Sequence, residues 1–217
     1  MIQKDYIMRI IEQMGKILAK VLLNKEEGKQ EEAIKEIENS FRTLIGIDTH
    51  LLKTLSYENI AELFGILKDK PTGSMKCIIA ARLLREKSEL LKDIQAEESN
   101  ENLHKALGLY LKGLSNIGYT EIDMTSYYKD VKMIENVLKG KMTKDELFLL
   151  FKYYREKKEY GKAGNYLFDL KEANYPEIKK IGLEFFKELE QGDKINLVKA
   201  GLSIDEIKES VQIFENI

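Results

Sequence analysis

The stretch TKDELFLLFKYYREKKEYGKAGNYLFDLKEANYP, residues 143–176, decides the fold. It opens with Thr143 and Glu146 at the spacing of a reciprocal capping box, in which a threonine oxygen accepts from an early helical N–H and the glutamate reaches back. Leu147, Leu150, Phe151 and Tyr154 then recur at the i, i+3, i+4 interval of one helical face. Beside that face Phe148, Lys152 and Arg155 form a second stripe at i, i+4, i+7. A second helix follows from Tyr160 and turns Gly161, Ala163, Leu167 and Leu170 inward, and Pro176 is expected in the first turn of the helix after it.

The same period of 3.6 runs outward in both directions. Tyr6, Ile7, Ile10, Ile11, Met14, Ile17, Leu18, Val21 and Leu22 predict a first helix over 2–24, with Arg9, Glu12, Gln13, Lys16 and Lys20 on its other face. Gly28 breaks it, and a second helix over 30–44 repeats the pattern; so short a connection implies an antiparallel pair. Ser56 reads as the N-cap of a helix through Leu67, ended by Lys70-Pro71-Thr72-Gly73. Helices are expected over 75–95 and 99–116. A loop around 119–123 leads to another, ending near Gly140. After the stretch quoted above, Pro176 opens a helix to Glu190, and Ser203 with Glu206 forms a second capping box for one running to Glu215. No run of period two competes. The expectation is an all-α protein of roughly nine or ten helices, a single domain over 1–217 with a sub-boundary near 118–123.

The hairpin at 147–176 resembles a tetratricopeptide repeat. In that pattern a small residue on the second helix, here Ala163, lets the paired helices approach, and a tyrosine late in the first, here Tyr154, covers the seam. Proline arrives one place later than usual. Weaker echoes surround Ala33 and Ala106, at intervals that are not multiples of the standard repeat. The expected architecture is therefore antiparallel hairpins stacked as degenerate tetratricopeptide-like repeats, with an irregular helical bundle as the alternative. The opening run from Asp5 to Gln13, followed by Gly15 and Leu18-Ala19, is similar to the start of an uncharacterised bacterial family, a domain of unknown function. The likeness extends through Lys25-Glu26-Glu27-Gly28-Lys29 and Leu44-Ile45-Gly46-Ile47-Asp48. It implies a tetratricopeptide-like helical fold and carries no activity.

Composition narrows the function classes. Of 217 residues 43% are hydrophobic, enough to build a core, and 33% are charged, with 35 Lys+Arg against 37 Asp+Glu. A net charge of -2 and few arginines argue against a nucleic-acid partner, whose phosphates demand a basic footprint. Cys77 is the only cysteine, so disulfide pairing within the chain and a cysteine zinc site are arithmetically impossible. No apolar run approaches the roughly 20 residues that span a bilayer. Charges at Lys4, Asp5, Arg9 and Glu12 interrupt any signal-peptide core. The expectation is a cytoplasmic protein without membrane insertion.

Candidate chemistry is sparse. Glu101 and His104 have the i, i+3 spacing of a di-metal bundle ligand pair, but His50, the other histidine, has Ile47 where its glutamate would stand. No metal and no cofactor is expected. Cys77 begins an apolar run and reads as a small buried hydrophobe. No phosphate-binding loop, dinucleotide fingerprint or nucleophile elbow is present, and the chain is expected not to be an enzyme. The leading expectation is a protein- or peptide-binding helical-repeat module in which Lys152 and Arg155 hold acidic groups and Phe148 supplies apolar contact. A helical-bundle enzyme that binds a metal or small molecule through Glu101 and His104, and a self-associating protein using Leu149 and Tyr153, are the alternatives; a homo-oligomer stays open.

Overall fold

The computed structural model describes residues 2–118, 122–191 and 202–217, with side chains from Asp5 onward. The expected loop at 119–123 lies partly, and the side chain of Lys4 wholly, outside the described residues. Among those residues the chain is all-α, eleven helices packed in pairs, without strands. It divides into two compact units, residues 1–140 and 141–217. The break follows the helix ending near Gly140, and the sub-boundary expected near 118–123 falls inside the first unit.

The first unit holds α1 (Ile2–Glu26), α2 (Gln30–Ser40), α3 (Thr49–Thr54), α4 (Tyr57–Leu63), α5 (Lys70–Leu91), α6 (Ala96–Asn116) and α7 (Thr125–Val137). Gly28, at φ +74°, turns α1 back onto α2. Lys20 meets Glu36 at 2.6 Å, each eight positions from Gly28, which is the register of an antiparallel hairpin. The centre of the unit is α5. Cys77 to Ala81 and Leu83 are completely buried, a helix apolar on nearly every face, and it packs against α1, α2, α4, α6 and α7. Its closest partner is α6, also antiparallel. Ser88 and Ser99 share a 2.8 Å hydrogen bond at one end. At the other, Gly113 lies so close that a Cβ would meet the Ser74 carbonyl at 2.8 Å.

Several boundaries differ from the sequence expectation. The expected helix over 57–67 ends at Leu63, and Lys70-Pro71 opens α5 instead of closing its predecessor. Asp69 caps that start by accepting from the Thr72 N–H, and Pro71 occupies the first turn, where its missing N–H costs nothing. Pro176 shows the converse. It precedes the helix, which begins at Ile178 after Glu177 at φ +58°. The second helix widens into a π-turn at Phe41–Ile45, which buries Phe41, Leu44 and Ile45 together, and Asp48 caps an unforeseen short α3 by accepting from His50 N–H.

The second unit holds α8 (Lys144–Glu156), α9 (Tyr160–Glu172), α10 (Ile178–Glu190) and α11 (Ile204–Glu215). Both capping boxes form. Thr143 and Glu146 close the start of α8, and Ser203 and Glu206 that of α11. Ala163 is fully buried where α9 meets α8. Phe151 on α8 packs edge-on to Phe185 on α10 at 5.4 Å, and Arg155 pairs with Glu188 one turn further along. Both contacts advance in the same sense, so α8 and α10 run parallel, their first residues 34 positions apart at Lys144 and Ile178. Phe168, Phe186 and Phe214 complete an aromatic core between α9, α10 and α11.

Candidate functional site

The stripe expected on α8 exists, but its members do different work. Phe148 is half-buried, stacked on Tyr175 at 4.9 Å and on Phe151 at 6.1 Å, and its ring faces the Lys152 ammonium at 4.6 Å. Such an exposed cation–π contact is worth about 0.5–1 kcal/mol and holds Lys152 along the helix rather than leaving it to sweep solvent. Arg155, two turns on, is exposed and forms an ion pair with Glu188 of α10. Phe148 and Lys152 are thus brought together with Tyr175, while Arg155 belongs to a second contact joining the two parallel helices. Tyr175 and Glu188 are the members that sequence reading missed. Neither lies on α8, and only knowledge that α10 runs beside α8 connects them.

Self-association through Leu149 and Tyr153 needs correction. Leu149 is half-buried, and Tyr153 is only 4% exposed. Its ring packs edge-on to Tyr154 at 5.1 Å, and its hydroxyl accepts from Lys157 at 3.2 Å. A phenol spends its apolar body on the core and keeps only its tip wet, which hydropathy patterning at one position does not reveal.

The first unit carries buried polar networks. Asp130 on α7, 6% exposed, pairs with Arg82 at 2.5 Å and Arg85 at 3.4 Å from α5 and accepts from the Tyr110 hydroxyl of α6 at 2.7 Å. Burial, reinforced by the Asp130 charge, holds the Tyr110 proton well above the ordinary tyrosine value. A second network centres on Lys87, 3% exposed, which donates to Glu38 at 2.7 Å and Glu98 at 2.8 Å. Burial would raise the Glu98 carboxyl, but hydrogen bonds from Lys87 and Lys53 outweigh it and hold the group below its ordinary value. These charges tie α2, α5, α6 and α7 together, and each meets an opposite charge as buried charges require.

Next to the second network an open cleft of about 400 Å³ is lined by Lys53, Glu97, Glu98, Glu101, Asn102 and Lys105. Glu101 is thus in its lining, and His104, half-buried, is not. Lys105 donates to the Leu52 and Lys53 carbonyls, each at 2.6 Å, closing the end of α3, and burial depresses its ammonium. His50 is exposed on α3. Among the described residues no three His, Cys, Asp or Glu side chains gather as a metal would require. Cys77 is completely buried, and burial pushes its thiol up to about 12, so at neutral pH it is a thiol and not a nucleophile. No described helix is long and apolar enough to cross a membrane.

No curated protein and no solved structure matches the chain. A family model does, over residues 1–217, and its description is a family of unknown function, DUF6483. That match covers every helix described above, and the chain belongs to that family.

Proposed function

We propose that the protein is a non-catalytic binding module of the cytoplasm whose second unit is tetratricopeptide-like and takes an acidic protein segment or peptide along α8. The observation that carries this reading is the parallel placement of α8 and α10 at a 34-residue interval, the period of a tetratricopeptide array. In such arrays the first helix of each hairpin lines the concave face, and Phe148, Lys152 and Arg155 occupy one stripe of α8. Lys152 and Phe148 supply a cation beside an aromatic face. Arg155 is engaged with Glu188, but both side chains are largely in solvent, at 43% and 63% exposure, and an exposed pair is worth only about 0–1 kcal/mol. A ligand carboxylate can therefore take the place of Glu188 at small cost. Aromatics beside lysine also suit a single-stranded nucleic acid, but the near-balanced net charge favours a peptide.

An array of acidic, neutral and basic peptides probed with labelled protein tests the reading. Lys152→Glu should abolish capture of acidic peptides. Glu188→Gln, which frees Arg155, should strengthen it severalfold. If both variants bind the same peptides as the wild type, or if none bind, the stripe is a solvated face and the proposal fails.

A further inference from the structure

The first helix carries more apolar surface than its own unit covers. Ile7, Ile10, Met14 and Val21 are buried against the unit. One step around the helix runs a second strip, Met8, Ile11, Gly15, Leu18 and Leu22, at intervals of three and four residues, the spacing of a coiled-coil seam. Met8 is 48% and Leu22 56% exposed, Gly15 faces solvent, and Ile11 and Leu18 are half-covered. Ala19 and Leu23, both exposed, widen the strip on its solvent side.

The strip is nearly symmetric about its middle, the exception being Leu18, whose counterpart is Glu12. Met8 and Leu22 stand seven positions either side of Gly15, and Ile11 and Ala19 four. Gly15 offers open space, with nothing within 4 Å of a Cβ built there, so two helix axes can cross closely at that point. A surface that reads nearly the same in both directions can meet a second copy of itself across a two-fold axis. The flanking charges agree. Glu12 and Lys16, paired at 2.9 Å within one chain, lie on one edge of the strip. In an antiparallel partner related by a dyad at Gly15, Glu12 of each copy comes beside Lys16 of the other. A lipid surface would call for a cationic edge, and this edge is balanced.

We infer that α1 is a self-association surface, on which a second copy of this chain docks its own α1 antiparallel about Gly15, closing Met8 of each copy against Leu22 of the other. The seam is about 20 Å long at 1.5 Å per residue, shorter than standard interfaces need, so the dimer forms in a concentration-dependent way. The inference rests on α1 alone and stands or falls separately from peptide capture by α8.

Two measurements on the full chain test it. In sedimentation equilibrium the wild type should pass from monomer to dimer as concentration rises. The Met8→Glu/Leu22→Glu variant, which alters only exposed side chains, should raise the dissociation constant at least about tenfold while keeping its helical circular dichroism. Gly15→Cys then reads the geometry directly, because Cys77 is buried and contributes no accessible thiol. Mild oxidation should yield a covalent dimer from Gly15→Cys and none from Gln13→Cys, on the opposite, exposed face of α1. A wild type that stays monomeric at every concentration, a dimer that the double variant retains, or equal cross-linking of both cysteine variants overturns the inference.

Discussion

The two units hold their helices together by different means. In residues 1–140 the helices are joined by an aliphatic core threaded with buried charge, Asp130 between Arg82 and Arg85, and Lys87 between Glu38 and Glu98. In residues 141–217 the joints are rings: Phe151 on Phe185, Phe168 on Phe186 and Phe214, Tyr154 stacked on Tyr166. Among the described residues the ion pairs that join helices there, Arg155–Glu188 and Lys187–Glu215, are exposed. Charge pairs choose partners by sign and direction, and losing one member leaves an uncompensated charge. Ring clusters choose by shape and are indifferent to acid, but they punish added volume. The first unit should therefore fail by unpairing and the second by overfilling.

The sharpest way to break that contrast is Asp130→Ala. It takes the Asp130 carboxylate from two guanidinium groups, which keep Glu86 as a shared partner, and leaves the Tyr110 hydroxyl without its acceptor, so it should cost the first unit about 3 kcal/mol. Hydrogen exchange resolved along the chain would show early opening of α5–α7 with residues 141–217 unchanged; equal loosening of both units would deny that they are separately braced. Next in size comes Gly182→Ala. A Cβ there would meet the Phe214 ring at 2.2 Å, and the clash should destabilise the second unit by about 2 kcal/mol. Its control is Gly164→Ala. The new Cβ would lie 3.6 Å from Phe186, ordinary contact, so helix propensity wins and stability should rise by about 0.5 kcal/mol. Thermal denaturation separates the two signs.

The smallest effect expected is the acid sensitivity that Glu98 gives the first unit. Because Glu98 is held below its ordinary 4.5 when folded, the unfolded chain takes up its proton first. Its contribution is present above pH 4.5 and is lost as pH falls through the lower folded value. Glu98→Gln should flatten the first unit's fall in stability as pH drops below 4.5 and leave that of the second unchanged.

How far these features could be read from sequence follows the distance over which they act. The capping boxes at Thr143 and Ser203, the buried Ala163 and the helical stripes are local patterns, and all were legible. Pro71 was misread because proline suits both the residues after a helix and its first turn, and only the Asp69 cap decides. Asp130 and Lys87 were invisible as core residues. Their partners stand on other helices, from 11 to 49 positions away, and a lone charge in a sequence is most often a solvated one. At the candidate site the stripe of Phe148, Lys152 and Arg155 was legible on one helix. Tyr175 and Glu188 were not, since they arrive from beyond α9.

Tyr110 has a spectroscopic consequence. The chain has 11 tyrosines and no tryptophan, so its near-ultraviolet absorbance beyond the weak phenylalanine band belongs to phenols. Exposed phenols lose their protons near pH 10, whereas Tyr110, enclosed with Asp130, keeps its own until its surroundings part. Above that pH the unfolded chain is the better proton donor, and alkali draws the first unit open. The phenolate band would then rise in two steps, a smooth titration of the surface rings followed by a cooperative one. The second step is an optical signal of core opening that the protein supplies without a label.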